Sequence, residues 1–158
     1  AAPSPGPTTA AAVEPSAQRS PLVRKAITLI LHHPAAALEL GEIADLHYVK
    51  LPGVELLQRL LEVVRDNPQI NAAGLEERFR HDADGRFLSR LSGQPPLDDE
   101  DAAPQVLRDN VARLVERGLK DRLHTLTRRG GELNDAQRAE MAAIGDRLRS
   151  GQDARSAG

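Results

Sequence analysis

VLRDNVARLVERGLKDRLHTLTRRGGELNDAQRAEMAAIGDRL, residues 106–148, decides how this chain folds. Leu107, Val111, Leu114, Val115, Leu119, Leu123 and Leu126 recur mostly at steps of three and four, which is one apolar stripe on a helix. Gly130-Gly131 ends that arm, because paired glycines suit a C-cap with positive φ and each costs a helix interior about 1 kcal/mol. The return arm opens at Asn134 with Gln137 three residues on, a capping-box-like pair able to satisfy two orphan amides. Its stripe is Gln137, Met141, Ile144 and Leu148, with the four-three-four spacing of a coiled-coil seam. The stretch predicts a helical hairpin. Two arms that pair only with each other bury little, so the hairpin is expected to reach for a partner. Gly118, inside the outgoing stripe, reads equally as a hinge and as a spot where another backbone packs close.

Outward from the hairpin, the length of 158 residues suits one ordinary domain or a bundle with an appendage. Hydrophobic residues make up 40% of the chain and aromatics only 2%, namely Tyr48, Phe79 and Phe87. A core of Leu, Val, Ile and Ala favours packed helices over a β-sandwich. The net charge of −2, with both signs interspersed, argues against a general polyanion-binding field. Absent cysteine excludes disulfides and thiolate metal sites and fits a cytoplasmic protein. No apolar run approaches the roughly 18–20 residues of a membrane span, so no membrane association is expected.

Residues 1–20 are Pro, Ala, Ser and Thr with Val13 the one larger apolar residue, which predicts a disordered linker and implies a domain upstream. Ser20-Pro21 is an N-cap followed by proline at the first helical position. Val23, Ala26, Ile27 and Ile30 form the stripe of that first helix, which closes at His32-His33-Pro34 with the histidines expected as C-terminal caps. Residues 34–40 suggest a short second helix. Val54–Arg65 carries Leu56, Leu57, Leu60, Leu61, Val63 and Val64 and is expected to be the central helix of a bundle. Asn71–Arg80 and Asp82–Leu91 predict two more helices, and Asp98–Asp101 before Pro104 reads as the acidic start of the long one. With no period-two alternation and no internal repeat, the fold class is all-α: a helical bundle over 21–117, a hairpin subdomain over 118–149 and a flexible tail over 150–158.

The sequence offers no catalytic constellation. Histidines 32, 33, 47, 81 and 124 lack the i, i+4 spacing of a helical metal pair, and no H-E-x-x-H is present. His81-Asp82-Ala83-Asp84-Gly85 hints at a calcium loop, but counting from Asp82 puts Phe87 where an EF-hand needs glycine. Phosphate-binding and nucleophile-elbow motifs are also missing. Neither catalytic nor metal residues are assigned, and no cofactor is expected. Basic residues on the hairpin (Lys120, Arg122, Arg128, Arg129) lack the aromatic stacking platforms of a single-strand binder, so little direct nucleic-acid binding is expected. Arg19, Arg24 and Lys25 border Leu22, Val23 and Ile27, a mixture that suits an acidic peptide with a hydrophobic residue or terminal carboxylate.

The order of these signals is itself informative. PLVRKAITLILHHP (21–34), KLPGVELLQRLLEVVRDNP (50–68), NAAGLEERFR (71–80), FLSRLSG (87–93), a long helix and a hairpin tipped by GGELNDAQ (130–137) together resemble the helicase-binding C-terminal domain of bacterial replicative primases. The resemblance covers about residues 21–149. It implies a bundle, a long helix and a terminal hairpin that docks on the N-terminal domains of the hexameric replicative helicase. The docking surface would come from Leu119, Arg122, Leu123, Leu126, Leu133, Met141, Ile144, Arg147 and Leu148. It also implies capture of the acidic C-terminal tail of single-stranded-DNA-binding protein by Arg19, Leu22, Val23, Arg24 and Ile27. Primer synthesis, with its zinc and magnesium, would belong to upstream domains of the full-length primase, a DNA-directed RNA polymerase, in the cytoplasm. The alternative reading is the N-terminal domain of a replicative helicase or another helical adaptor module, and against the former stand the linker at the front and the absence of an ATPase motif.

Overall fold

The computed structural model describes residues 20–96 and 98–157, with side chains through Gln152. The expected linker, including Arg19, lies outside the described residues apart from Ser20. Seven α-helices and two 3₁₀ turns make up the regular structure of the described residues: α1 (Pro21–His32), α2 (Pro34–Leu40), a 3₁₀ turn (Leu46–Tyr48), α3 (Val54–Asp66), α4 (Ala72–Arg78), α5 (Gly85–Ser92), α6 (Ala103–Arg129), a 3₁₀ turn (Gly130–Glu132) and α7 (Asp135–Ala157).

The local start and stop signals act as expected. Ser20 Oγ accepts from the Leu22 amide at 3.3 Å, Asn71 Oδ1 accepts from Gly74 at 2.9 Å, and each thereby satisfies an orphan donor of its helix. At the hairpin turn Gly130 takes φ +55°, the left-handed region that glycine occupies without a Cβ penalty. Asn134 and Gln137 then form a reciprocal box. The Gln137 amide donates to Asn134 Oδ1 at 2.8 Å, and the Asn134 amide donates to Gln137 Oε1 at 3.0 Å.

The centre of the bundle is α1, and not α3 as its leucine content suggested. α1 packs against α2, α3, α4, α5 and α6, and Val23, Ala26, Ile27, Ile30 and Leu31 are fully buried. α3 keeps one polar face, with Glu55, Arg59, Glu62 and Arg65 exposed, and leans on α1 and α2. The two histidines that close α1 also do more than cap it. His32 Nε2–H donates to the Leu91 carbonyl at 3.2 Å and His33 Nε2–H to the Asp98 carbonyl at 3.0 Å, tying the end of α1 to the end of α5 and to the approach to α6. The acidic run itself sits before the long helix, which starts at Ala103 with Pro104 in its first turn.

α6 has 27 residues, roughly 40 Å at about 1.5 Å per residue, and runs unbroken through Gly118. Its first half closes the bundle core through Ala103, Leu107, Val111 and Leu114. Its second half builds a separate small core with α7. Val115 packs against both, so the two cores are joined along one helix face. α7 continues beyond Leu148 to Ala157, so residues 150–157 of the expected tail over 150–158 are helical, and Gly158 lies outside the described residues.

Candidate functional site: the α6–α7 hairpin and its seat

Four of the nine residues assigned to a partner are the inside of the hairpin. Leu119, Leu126, Leu133 and Ile144 are each at most 8% exposed and form one cluster between the arms. They cannot meet a partner without the hairpin opening; their role is to hold it shut. Leu123, Met141 and Leu148 pack around that cluster and stay half-buried, so part of each side chain reaches the surface. Met141 and Leu148 are seven apart on α7, and Leu123 faces the same edge from α6, which makes a narrow apolar border along one side of the seam.

The opposite side of the seam is polar and faces the bundle. Arg122 Nε and Nη2 donate to Glu140 Oε2 and Oε1, both at 2.9 Å, a fork-to-fork pair across the arms. The Tyr48 hydroxyl also favours the charged form of this carboxylate. Bonding from Arg122 holds the Glu140 carboxyl below the ordinary carboxylate range, with Tyr48 adding to it against some desolvation. Burial, then the negative charge of Glu140, pushes the Tyr48 phenol up. Arg147 pairs with Asp45, one turn before Tyr48. The 3₁₀ turn of the bundle is therefore the seat on which the hairpin rests.

Backbone contact completes that seat. A Cβ built on Gly118 would stand 2.9 Å from the carbonyl carbon and oxygen of Tyr48 and from the Val49 nitrogen. Of the two readings of Gly118, this is the close-packing one: α6 is continuous there, and only glycine lets the turn lie against it. Tyr48, Asp45 and Glu140 were not among the residues singled out in the sequence. Tyr48, as the one tyrosine in an aromatic-poor chain, was the signal that could have drawn attention to the turn. Beside the seat, an open groove of about 710 Å³ lies between the α2–3₁₀ connection, α6 and α7, lined in part by Leu40, Ile43, Val111 and Leu148.

The acidic-tail set fares differently. Val23 and Ile27 are fully buried in the bundle core and are corrected as contact residues, since their side chains serve the packing of α1. Leu22 is half-buried and Arg24 exposed, while Arg19 lies outside the described residues. The Leu22 carbonyl is engaged as well, accepting from the buried Asn110 Nδ2 at 2.7 Å. Among the described residues, no three His, Asp or Glu side chains come together as a metal cage. Asp82, the start of the apparent calcium loop, is paired with Arg59, which holds its carboxyl below the ordinary range. No helix among the described residues is long and apolar enough to cross a membrane.

Comparison with known proteins fits this architecture. The family model for the DNA primase DnaG DnaB-binding domain matches residues 23–144, from the core of α1 to the buried Ile144 of the hairpin. Among solved structures, the C-terminal domain of DnaG primase from Vibrio cholerae is similar, with a TM-score of 0.65 and 23% identity, covering 78% of this chain and 95% of that one. At that identity the likeness carries the fold. No curated protein matches the chain. With the family model spanning both the α1-centred bundle and the hairpin, this chain belongs to the DnaB-binding domain family of DnaG primases.

Proposed function

We propose that this chain docks a primase on the replicative helicase, with the α6–α7 hairpin as the principal contact. The observation that carries the reading is the family match across 23–144. The contact falls to the surface the hairpin leaves available, the half-buried Leu123, Met141 and Leu148, while Arg122 and Arg147 are engaged by Glu140 and Asp45 on the side that faces the bundle. Leu119, Leu126, Leu133 and Ile144 act indirectly by keeping the arms together. A narrow apolar border with charged flanks suits a modest, partly polar interface that forms and releases.

The test is a calorimetric titration of the full chain against the hexameric helicase of the same organism, with Leu123→Asp as the variant. Leu123 is part-exposed and tolerates the change better than Ile144, where a buried aspartate would unfold the hairpin instead of probing the interface. Loss of binding by a variant with unchanged helicity supports the reading. Unchanged affinity in that folded variant removes the hairpin edge from the contact.

Primer synthesis is proposed for other domains of a full-length primase, with zinc and magnesium there and none in this chain. Capture of an acidic tail rests on the family resemblance, and among the described residues of that set Arg24 and the outer part of Leu22 reach the surface. Arg24→Glu together with a tail peptide titration decides that point: unaltered peptide binding removes α1 from the contact.

A further inference from the structure

The outward face of α6 carries a feature that the docking edge alone does not require. Arg113, Arg117, Lys120, His124 and Arg128 follow one another at steps of four, three, four and four, and all five residues are exposed. At about 100° per residue they form a single stripe pointing away from α7, over roughly 22 Å of helix. The stripe begins on the half of α6 that belongs to the bundle and ends at the hairpin tip, so it crosses the junction between the two cores. Leu123 lies on α6 between this stripe and the seam, and Met141 faces the same side from α7. Acids flank it without interrupting it: Glu116 pairs with Lys120 at 2.7 Å, and Asp121 sits on the far side.

We infer that the stripe and the Leu123–Met141 border together take an acidic amphipathic helix laid lengthwise along α6. The inference rests on the helicase-docking reading and specifies the chemistry of the segment that the helicase presents. Three considerations select a helix over a nucleic-acid strand. The four cations Arg113, Arg117, Lys120 and Arg128 follow the helical period in one row beside an apolar border, which matches the apolar seam and charged flank of a second helix. Exposed aromatic platforms for base stacking are missing, because Phe79 and Phe87 are buried and Tyr48 is turned into the hairpin seat. The chain as a whole is net acidic, so its field does not gather polyanions generally. An acidic helix gains most from a local row of positive charge, which also speeds encounter.

The experiment uses the full chain, the hexameric helicase of the same organism and a single-stranded oligonucleotide as probes. Binding is measured between low and moderately high salt for the native chain, for the Arg113→Glu/Arg117→Glu double variant and for its neutral Arg113→Gln/Arg117→Gln counterpart. These positions lie outside the hairpin edge, and their exposure leaves the fold intact, as circular dichroism verifies. The expected result is helicase affinity that falls with salt, weakened roughly tenfold by the reversal and less by the neutral pair, with a shallower salt slope in both. Helicase affinity indifferent to salt and to both variants overturns the inference while leaving docking through the hairpin edge in place. Oligonucleotide binding that disappears in the reversal, with helicase affinity unchanged, also overturns it and makes the stripe a nucleic-acid face. Absence of helicase binding at the lowest salt overturns the docking reading and the stripe's part in it together.

Discussion

Gly118 of the long helix lies directly against Tyr48 of the bundle's 3₁₀ turn, so close that a Cβ on Gly118 would meet the Tyr48 carbonyl carbon and oxygen at 2.9 Å. The obstruction is backbone, which cannot swing aside as a side-chain tip can. On an isolated helix Gly118→Ala would add about 1 kcal/mol of helix propensity. Here the turn must shift instead, and the expected outcome is a net loss on the order of 1–3 kcal/mol, larger for Gly118→Val. The urea midpoint of the two variants measures this. A stabilised Gly118→Ala would show that the turn is not pressed against α6 in solution.

The Arg147–Asp45 pair is the second tether between hairpin and bundle. Its arginine is about half exposed while the aspartate is largely covered, so screening limits the pair to a surface value of about 0.2–1 kcal/mol. Either single reversal, Arg147→Asp or Asp45→Arg, should speed amide hydrogen exchange along α7 while leaving α1 untouched. The double exchange Asp45→Arg/Arg147→Asp should restore most of the protection. Failure of the double variant to recover would mean that Arg147 contributes through packing of its stem along the neighbouring groove.

What was legible in the sequence follows from range. The stripe from Leu107 to Leu126, the Gly130 turn and the Asn134–Gln137 box are all set by neighbours within a turn or two, and each appears where the local pattern puts it. The assignment of α3 as the central helix failed because leucine count says how apolar a helix is, not how many others surround it. α1 is packed by five other helices, four of which lie far along the chain. The hairpin surface was misjudged for the same reason. A stripe marks which residues turn inward as a set, but only the closed hairpin separates Ile144, inside, from Met141 at the edge. The seat on Tyr48 depends on a contact between distant stretches, and its local signals are a glycine in an otherwise apolar row and the one tyrosine of an aromatic-poor chain.

Glu140 makes hairpin stability depend on pH in a stated direction. Its carboxyl is held below its ordinary value in the folded chain, chiefly by hydrogen bonding from Arg122. A group depressed on folding contributes stability above its unfolded pKa and loses it as pH falls through the folded one. The contribution is therefore intact at neutral pH and disappears below the ordinary carboxylate range. With Arg122 about a third exposed the effect is small, a few tenths of a kcal/mol after solvent screening. Glu140→Gln should flatten the acid limb of hairpin stability, read by exchange of α7 amides between roughly pH 6 and 3. An identical acid limb in the variant would assign the pH dependence to other carboxylates.

Ile144 and Leu123 separate the stability of the hairpin from its surface. Ile144 is 1% exposed at the middle of a cluster that only Leu119, Leu126 and Leu133 share as buried members. In so small a core little can relax around a void, so Ile144→Ala should cost about 2–5 kcal/mol and strip exchange protection from α7, while the bundle keeps its own. Leu123 already faces water on one side, and Leu123→Ala removes less buried surface, so its cost should be well under half as large. Helicase affinity should reverse that order in proportion to stability: Leu123→Ala should weaken binding more than its small stability loss accounts for, whereas Ile144→Ala should weaken it only through the unfolded fraction. Measuring both variants at a temperature where each remains folded distinguishes the two effects. Equal affinities for Leu123→Ala and the native chain would move the contact away from this edge and toward the basic face of α6.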